Sequence, residues 1–300
     1  MVATSTSSQV HGCEPFMNPI VGIGELLWDV FPDGRKVLGG APFNFAFHCH
    51  QLGHKAMIVS RVGDDDLGHE LREHVLRLGL SDEFIQQDDQ HPTGTVQVTL
   101  TDGQPSYHIT ENVAWDALEW NERLQDLAHN CRAVCFGTLA QRTQVSGTTI
   151  RRFVTASRSA KALRVFDANL RQHYYTQDTL RASCELADIV KIADNELSKL
   201  LELDGVATIE ELRHQFDLQA VYLTCGAEGV RFASKDGEPC SVSGVPTQVI
   251  DTVGAGDAFT AAMVCGQLEG RTVLECVRFA NQYAAKVCEH RGATPVIESP

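Results

Sequence analysis

The chain has 300 residues, with 25 lysines and arginines against 39 acids and a formal net charge of −14. At roughly 100–200 residues per domain, that length is one large domain or a core with an appendage. A hydrophobic content of 43% sustains a sizeable core, while the acidic balance excludes a nucleic-acid partner, whose phosphates need basic neutralisation. No apolar run approaches the ~20 residues that span a bilayer, so no membrane partner is expected. The segment 1–19 reads as a polar tail without the basic start and apolar stretch of a signal peptide. Ten irregularly spaced cysteines do not form a secreted disulfide framework, which points to the cytoplasm.

The first strand falls at Ile20–Ile23, followed by Gly24-Glu25-Leu26-Leu27-Trp28-Asp29 and a hairpin turn at Asp33-Gly34. Gly39-Gly40 allows a sharp change of direction, and a helix runs from Pro42 to Gly53. A strand follows at Ala56–Ser60, then a helix marked by Leu67, Leu71, Val75 and Leu78 and stopped by Gly79. Thr95–Thr101 alternates strictly, turns at Asp102-Gly103 and returns over Ser106–Thr110, which predicts a half-exposed hairpin. From Ala133 onward, strands alternate with helices: Ala133–Phe136, Leu163–Phe166, Ile189–Ile192 and Val221–Thr224. One of the helices between them opens with the capping box Thr208-x-x-Glu211, and Thr272–His290 closes the chain as a long helix. This order predicts an α/β core with a mostly parallel sheet and a small separate β-sheet lid.

Several motifs fail on spacing. His69-Glu70-Leu71-Arg72-Glu73-His74 needs a histidine at 73 to bind zinc as HExxH does, and His74 lies about 100° further round the helix. His48, His50 and His54 read as a half-exposed helix face, and Cys131 and Cys135 as buried or free thiols. There is no GxxxxGK[ST]. Gly254-Ala255-Gly256-Asp257-Ala258-Phe259 begins like a dinucleotide fingerprint, but it lies late in the chain and has phenylalanine at its sixth position.

The segment Asp251-Thr252-Val253-Gly254-Ala255-Gly256-Asp257 leads into a helical apolar run. Small residues there let a ligand approach the backbone, and the helix N-terminus offers unpaired N–H groups to an anion. Asp257 reads two ways. It is an acid that favours the helix dipole, or a base that takes a hydroxyl proton while the amides hold a phosphoryl group.

The sequence resembles the PfkB, or ribokinase-like, family of carbohydrate kinases, and within it the bacterial fructokinase type. Asp251–Asp257 matches the C-terminal signature in full. Gly39-Gly40-Ala41-Pro42-Phe43-Asn44, Leu52-Gly53 and Arg61-Val62-Gly63-Asp64-Asp65 match the N-terminal one. Gly24–Asp29 and Ala114-Trp115-Asp116 look like fructokinases. The resemblance covers about 20–297 and implies a three-layer α/β/α core, with lid segments at about 25–40 and 93–113.

The resemblance also implies roles. Asp257 matches the catalytic base, and Gly254, Ala255 and Gly256 the anion hole. Asp29 matches an acid gripping sugar hydroxyls, Gly39 and Gly40 the lid hinge, and Asn44 a sugar-contacting amide. Arg171, in Asp167-x-Asn169-x-Arg171, matches a cation for phosphate or substrate. Thr224, Gly226 and Gly229 match the nucleotide-edge turn, and Asn281 the adenine pocket. Asp251 and the Val253 carbonyl match a monovalent-cation site, for K⁺, faced by the loop around Gly292–Thr294. Glu196 matches the glutamate that organises Mg²⁺ through water, but Ala193 replaces the asparagine of that N-x-x-E motif. The implied activity is ATP-dependent phosphorylation of a free sugar, foremost D-fructose at its 6-hydroxyl, by a homodimer paired through its lids. A 2-keto-3-deoxygluconate or nucleoside kinase, or a non-catalytic sugar-binding member, stands as the alternative.

Overall fold

A computed structural model of the chain describes residues 18–101, 104–203, 205–235 and 237–297. The Asp102-Gly103 turn and most of the N-terminal tail lie outside the described residues. In chain order the first strands are β1 (Ile20–Ile23), β2 (Leu27–Val30), β3 (Lys36–Gly39), β4 (Ala56–Gly63), β5 (Ile85–Asp88), β6 (Thr95–Thr101) and β7 (Gln104–Ile109). They continue as β8 (Ala133–Phe136), β9 (Leu163–Asp167), β10 (Ile189–Ala193), β11 (Ala220–Thr224), β12 (Gly229–Ser234) and β13 (Gly237–Ser243). The helices are α1 (Ala41–Gln51), α2 (Asp66–Arg77), α3 (Glu122–Asn130), α4 (Gln144–Ala156), α5 (Gln177–Leu186), α6 (Leu197–Leu201), α7 (Ile209–Gln215), α8 (Ala255–Leu268) and α9 (Val273–Cys288).

Nine strands form the larger sheet in the order β13-β12-β11-β10-β9-β8-β1-β4-β5. It is parallel from β5 to β11, and antiparallel where β12 and β13 extend one edge. The strands are apolar on both faces because helices cover both. In β8, Ala133 and Cys135 pack with α1, α8 and α9, whereas Val134 and Phe136 pack with α3, α4 and α5. The same alternation places Ile189 on the α8 side of β10, and Val190 and Ile192 on the other. The result is three layers, α/β/α.

β3-β2-β6-β7 form a separate small sheet. The two expected hairpins supply it, joined by parallel pairing of β2 with β6. Val96 and Val98 are buried and Gln97 is exposed, as the alternation requires. Two segments escape the sequence reading, the short strand β5 and the β12–β13 hairpin. Neither alternates cleanly; β13 is exposed along nearly its whole length. The histidine expectation also needs correction: His48 is fully buried and His54 is 4% exposed. Polar partners inside the fold explain this, since His48 lies between the Tyr283 hydroxyl (3.1 Å) and the Ala293 carbonyl (2.9 Å).

A buried ion pair fixes the small sheet to the core. Arg142 Nε and Nη2 donate to the two Asp116 oxygens, each at 2.7 Å, and Nη2 also donates to the Thr110 carbonyl just after β7. The guanidinium lies 4.0 Å from the Trp115 ring centroid. Removing one partner of such a pair leaves the other charge buried and uncompensated, at a cost of about 3–5 kcal/mol. Arg142→Ala should therefore lower the urea midpoint by that order, and Asp116→Asn should lower it less; unchanged midpoints would contradict this anchoring.

Candidate active site

The site lies where β9 and β10 end beneath the start of α8, under the small sheet. Open α/β sheets characteristically bind ligands beyond the carboxyl ends of their strands. A cleft of about 490 Å³ opens there, lined from the small-sheet side by Asp29, Gly39 and Val96 and from the core by Asn44, Arg171, Lys191, Gly254, Gly256 and Asp257. Glu25, Gly40 and Val253 also line it.

Gly254 caps α8 with φ 78°, a backbone conformation that side chains disfavour. It also has no room for one: a Cβ would stand 2.6 Å from Ala293 Cα. Asp251 holds the same loop from the other side. Its Oδ1 accepts from the Val253 amide (3.1 Å) and its Oδ2 from the Gly292 amide (2.9 Å). Asp251 therefore ties the Val253 turn directly to the Gly292 loop. Ala255 is the first residue of α8, so this bracing fixes the helix start, with its unpaired first-turn amides, at the cleft that Gly254 and Gly256 line.

Asp257 sits in that first turn. Its Oδ2 accepts from Asn44 Nδ2 at 2.8 Å, while Asn44 Oδ1 is buried without a partner among the described residues. Burial pushes the Asp257 carboxyl up to about 6, helped by the nearby Asp167 charge and opposed by Asn44, Lys191 and Arg171. Burial likewise raises Asp29 to about 6, with Arg171 opposing. Gly40, with φ 114°, links β3 to α1 and so joins the segment carrying Asp29 to the helix carrying Asn44.

The other expected residues lie outside this lining. Thr224 ends β11, and Gly226 and Gly229 form the turn into β12, with φ values of 52° and 102°. That turn packs on the end of β13, where Asn281 Nδ2 donates to the Ser243 carbonyl at 2.9 Å. These four residues thus gather along one neighbouring edge. Glu196 is buried, and its two oxygens accept from the Leu170 amide (2.6 Å) and the Ala193 amide (3.0 Å). No group of three or more acidic, histidine or cysteine side chains among the described residues could hold a metal alone. This donor set fits a hard cation that keeps its waters and arrives with phosphate oxygens, as Mg²⁺ does.

Two charged residues of the site carried no assigned role. Glu25 is 3% exposed and its Oε2 lacks a partner; burial pushes its carboxyl up to about 7, against its own and Ala41's amides and Arg171. Lys191 is 5% exposed and its Nζ donates to Asp167 Oδ1 at 3.1 Å. The available signal was a charged residue inside an apolar strand, since Lys191 interrupts Ile189–Ile192 and Glu25 follows Ile20–Gly24. Charges at such positions are rarely buried without a partner or a task.

The sequence profile of the pfkB family carbohydrate kinases matches residues 30–300, and the chain belongs to that family. It is 32% identical over 295 residues to an uncharacterized sugar kinase of Pyrococcus horikoshii, covering 91% of each chain. The structure of that protein in complex with ATP has a TM-score of 0.79, covering 92% of this chain and 94% of the other. A fructokinase of Escherichia coli is 29% identical over 267 residues, 81% of this chain and 82% of its own. A Vibrio cholerae fructokinase solved with fructose, ADP and calcium has a TM-score of 0.77 at 26% identity, covering 93% and 95%. With the layer order described above, these likenesses define a ribokinase-like α/β fold.

The raised Glu25 value has a consequence for stability. Its folded value, about 7, lies above the ordinary 4.5, so the native state keeps a proton that the unfolded chain releases, and stability falls as pH rises between those values. Glu25→Gln removes this slope. Urea unfolding should show it more stable than the parent at pH 8 by roughly 1–3 kcal/mol, with the difference shrinking towards pH 5. An equal difference at both pH values would contradict the linkage.

Proposed function

We propose that the protein transfers the γ-phosphoryl group of ATP to a hydroxyl of a free sugar, with D-fructose at its 6-hydroxyl as the acceptor. The observation that carries this reading is Asp257 in the first turn of α8, facing a cleft that Asp29 and Asn44 also line. The fructokinases among its relatives support fructose.

In this reading Asp29 and the free Oδ1 of Asn44 accept hydrogen bonds from sugar hydroxyls. The ionised Asp257 takes the proton of the attacking hydroxyl, whose oxygen bonds to the γ-phosphorus as the bond to ADP breaks. First-turn amides of Gly254, Ala255 and Gly256 meet the charge on the phosphoryl oxygens. Arg171 adds a cation at the cleft; it is exposed, yet near enough to lower Glu25, Asp29 and Asp257. The small sheet acts as a lid hinged at Gly39 and Gly40, excluding water that would otherwise accept the phosphoryl group.

ATP's adenine lies along the edge formed by Thr224, Gly226, Gly229 and Asn281. Glu196 would hold Mg²⁺ through water, and the ion would supply positive charge to the phosphate oxygens. Asp251 and the Val253 carbonyl offer K⁺ a place behind the anion hole, where it would stiffen the same loop.

Ala193, in place of an amide side chain, favours one second reading: sugar binding without turnover. ADP release with ATP and Mg²⁺ across fructose, ribose, glucose, 2-keto-3-deoxygluconate and adenosine separates the two. Release with fructose is expected, and Asp257→Ala should lower its rate by roughly 10²–10⁴-fold while sugar still binds. Release with another acceptor moves the specificity; sugar binding with no release supports the second reading. Near-parental turnover by Asp257→Ala would remove the proposed base.

A further inference from the structure

Lys191 is a buried ammonium with work beyond charge neutralisation. It lies on the α8 side of β10, in the same alternation as Ile189. Asp167 takes one of its three donors, at 3.1 Å. Asp167 is itself held by α8, since Thr260 Oγ1 donates to its Oδ2 at 2.8 Å and to the Gly256 carbonyl at 3.0 Å. The ammonium thus lies directly beneath the first turn of α8. A Cβ on Gly256 would stand 2.9 Å from Nζ. The absence of a side chain at Gly256 therefore leaves room for the Lys191 ammonium against this turn. Lys191 also lines the cleft.

Two residues further along the same face of β10 is Ala193, where no amide or charge is available. Lys191 is the polar side chain of that face nearest the start of α8. We infer that Lys191 is a catalytic residue, whose ammonium hydrogen-bonds the oxygens of the transferring phosphoryl group from beneath the Gly254–Gly256 turn. This rests on the phosphoryl-transfer reading above. Lys191 gives up no proton: the hydroxyl proton goes to Asp257, and the electron pair of the breaking P–O bond leaves with ADP. Its contribution is fixed positive charge, complementing the dipolar amides in a site where water is scarce.

The competing account is that Lys191 only neutralises buried Asp167. Lys191→Met alone does not separate the two, because it leaves Asp167 unpaired in the core. Lys191→Met/Asp167→Asn restores neutrality and does separate them. Two quantities are measured on parent and double variant, with Mg²⁺ and fructose present: affinity for ADP, and affinity for ADP with aluminium fluoride, which mimics the transferring group. The double variant should bind ADP as the parent does, lose more than ~30-fold in aluminium fluoride affinity, and lose ~10²–10³-fold in kcat with little change in sugar KM. Parental aluminium fluoride affinity and kcat in the double variant would overturn the inference.

Sugar-dependent ADP release by the parent, in the same samples, reports separately on the proposed function. Release by the parent with an unaffected double variant removes the Lys191 contact and leaves the kinase reading standing. Lys191-dependent aluminium fluoride binding without release for any sugar does the reverse. Neither binding nor release by the parent overturns both.

Discussion

The N-terminus of α8 is the constraint on which the site depends. A helix start carries unpaired amides wherever it occurs, but here its position is fixed from three sides. Gly254 lies against Ala293, Asp251 ties the preceding turn to Gly292, and His48 holds the Ala293 carbonyl from α1. Burial lowers the His48 value to about 4, so the ring stays neutral at ordinary pH and brings no competing charge. Asn44 on the same α1 then holds Asp257. One short segment thus holds the helix start, and α1 holds the Asp257 carboxylate.

The second constraint is electrostatic. Glu25, Asp29, Asp167 and Asp257 crowd one region, and burial raises Glu25, Asp29 and Asp257. Lys191 and Arg171 oppose them from different positions, one fixed inside the sheet and one exposed at the cleft. The fixed cation pairs with Asp167 and, in the inference drawn above, keeps donors for the transferring phosphoryl group. The exposed cation is free to meet charge that arrives with a ligand. The family to which the chain belongs transfers phosphoryl groups, a chemistry in which positioning and charge stabilisation do nearly everything.

Much of this was readable in the sequence. The two hairpins of the small sheet followed from alternation and turn residues, and the α8 start followed from Gly254–Asp257 alone. Strands β8 to β11 were visible because parallel strands covered on both faces are continuously apolar. The exposed β12–β13 edge was not, since exposed strands carry little hydrophobic pattern. His48 was misread because a buried histidine and a surface histidine look alike until their partners are known. Lys191 and Glu25 were visible as charges within apolar runs, yet only three-dimensional proximity to Gly256 and Asp257 gives them meaning. Asp29 and Asn44 likewise meet at one cleft only once the small sheet is set against α1, which no local pattern encodes.

In the proposed reaction a sugar side and a phosphate side meet at one helix turn. The most direct measurement is a structure of the protein with fructose and a non-hydrolysable ATP analogue bound together. The account predicts one sugar hydroxyl within hydrogen-bond reach of Asp257, with the γ-phosphate oxygens on the first-turn amides of α8 and the small sheet closed over them. A sugar bound elsewhere, or a γ-phosphate directed away from Gly254–Gly256, would contradict it.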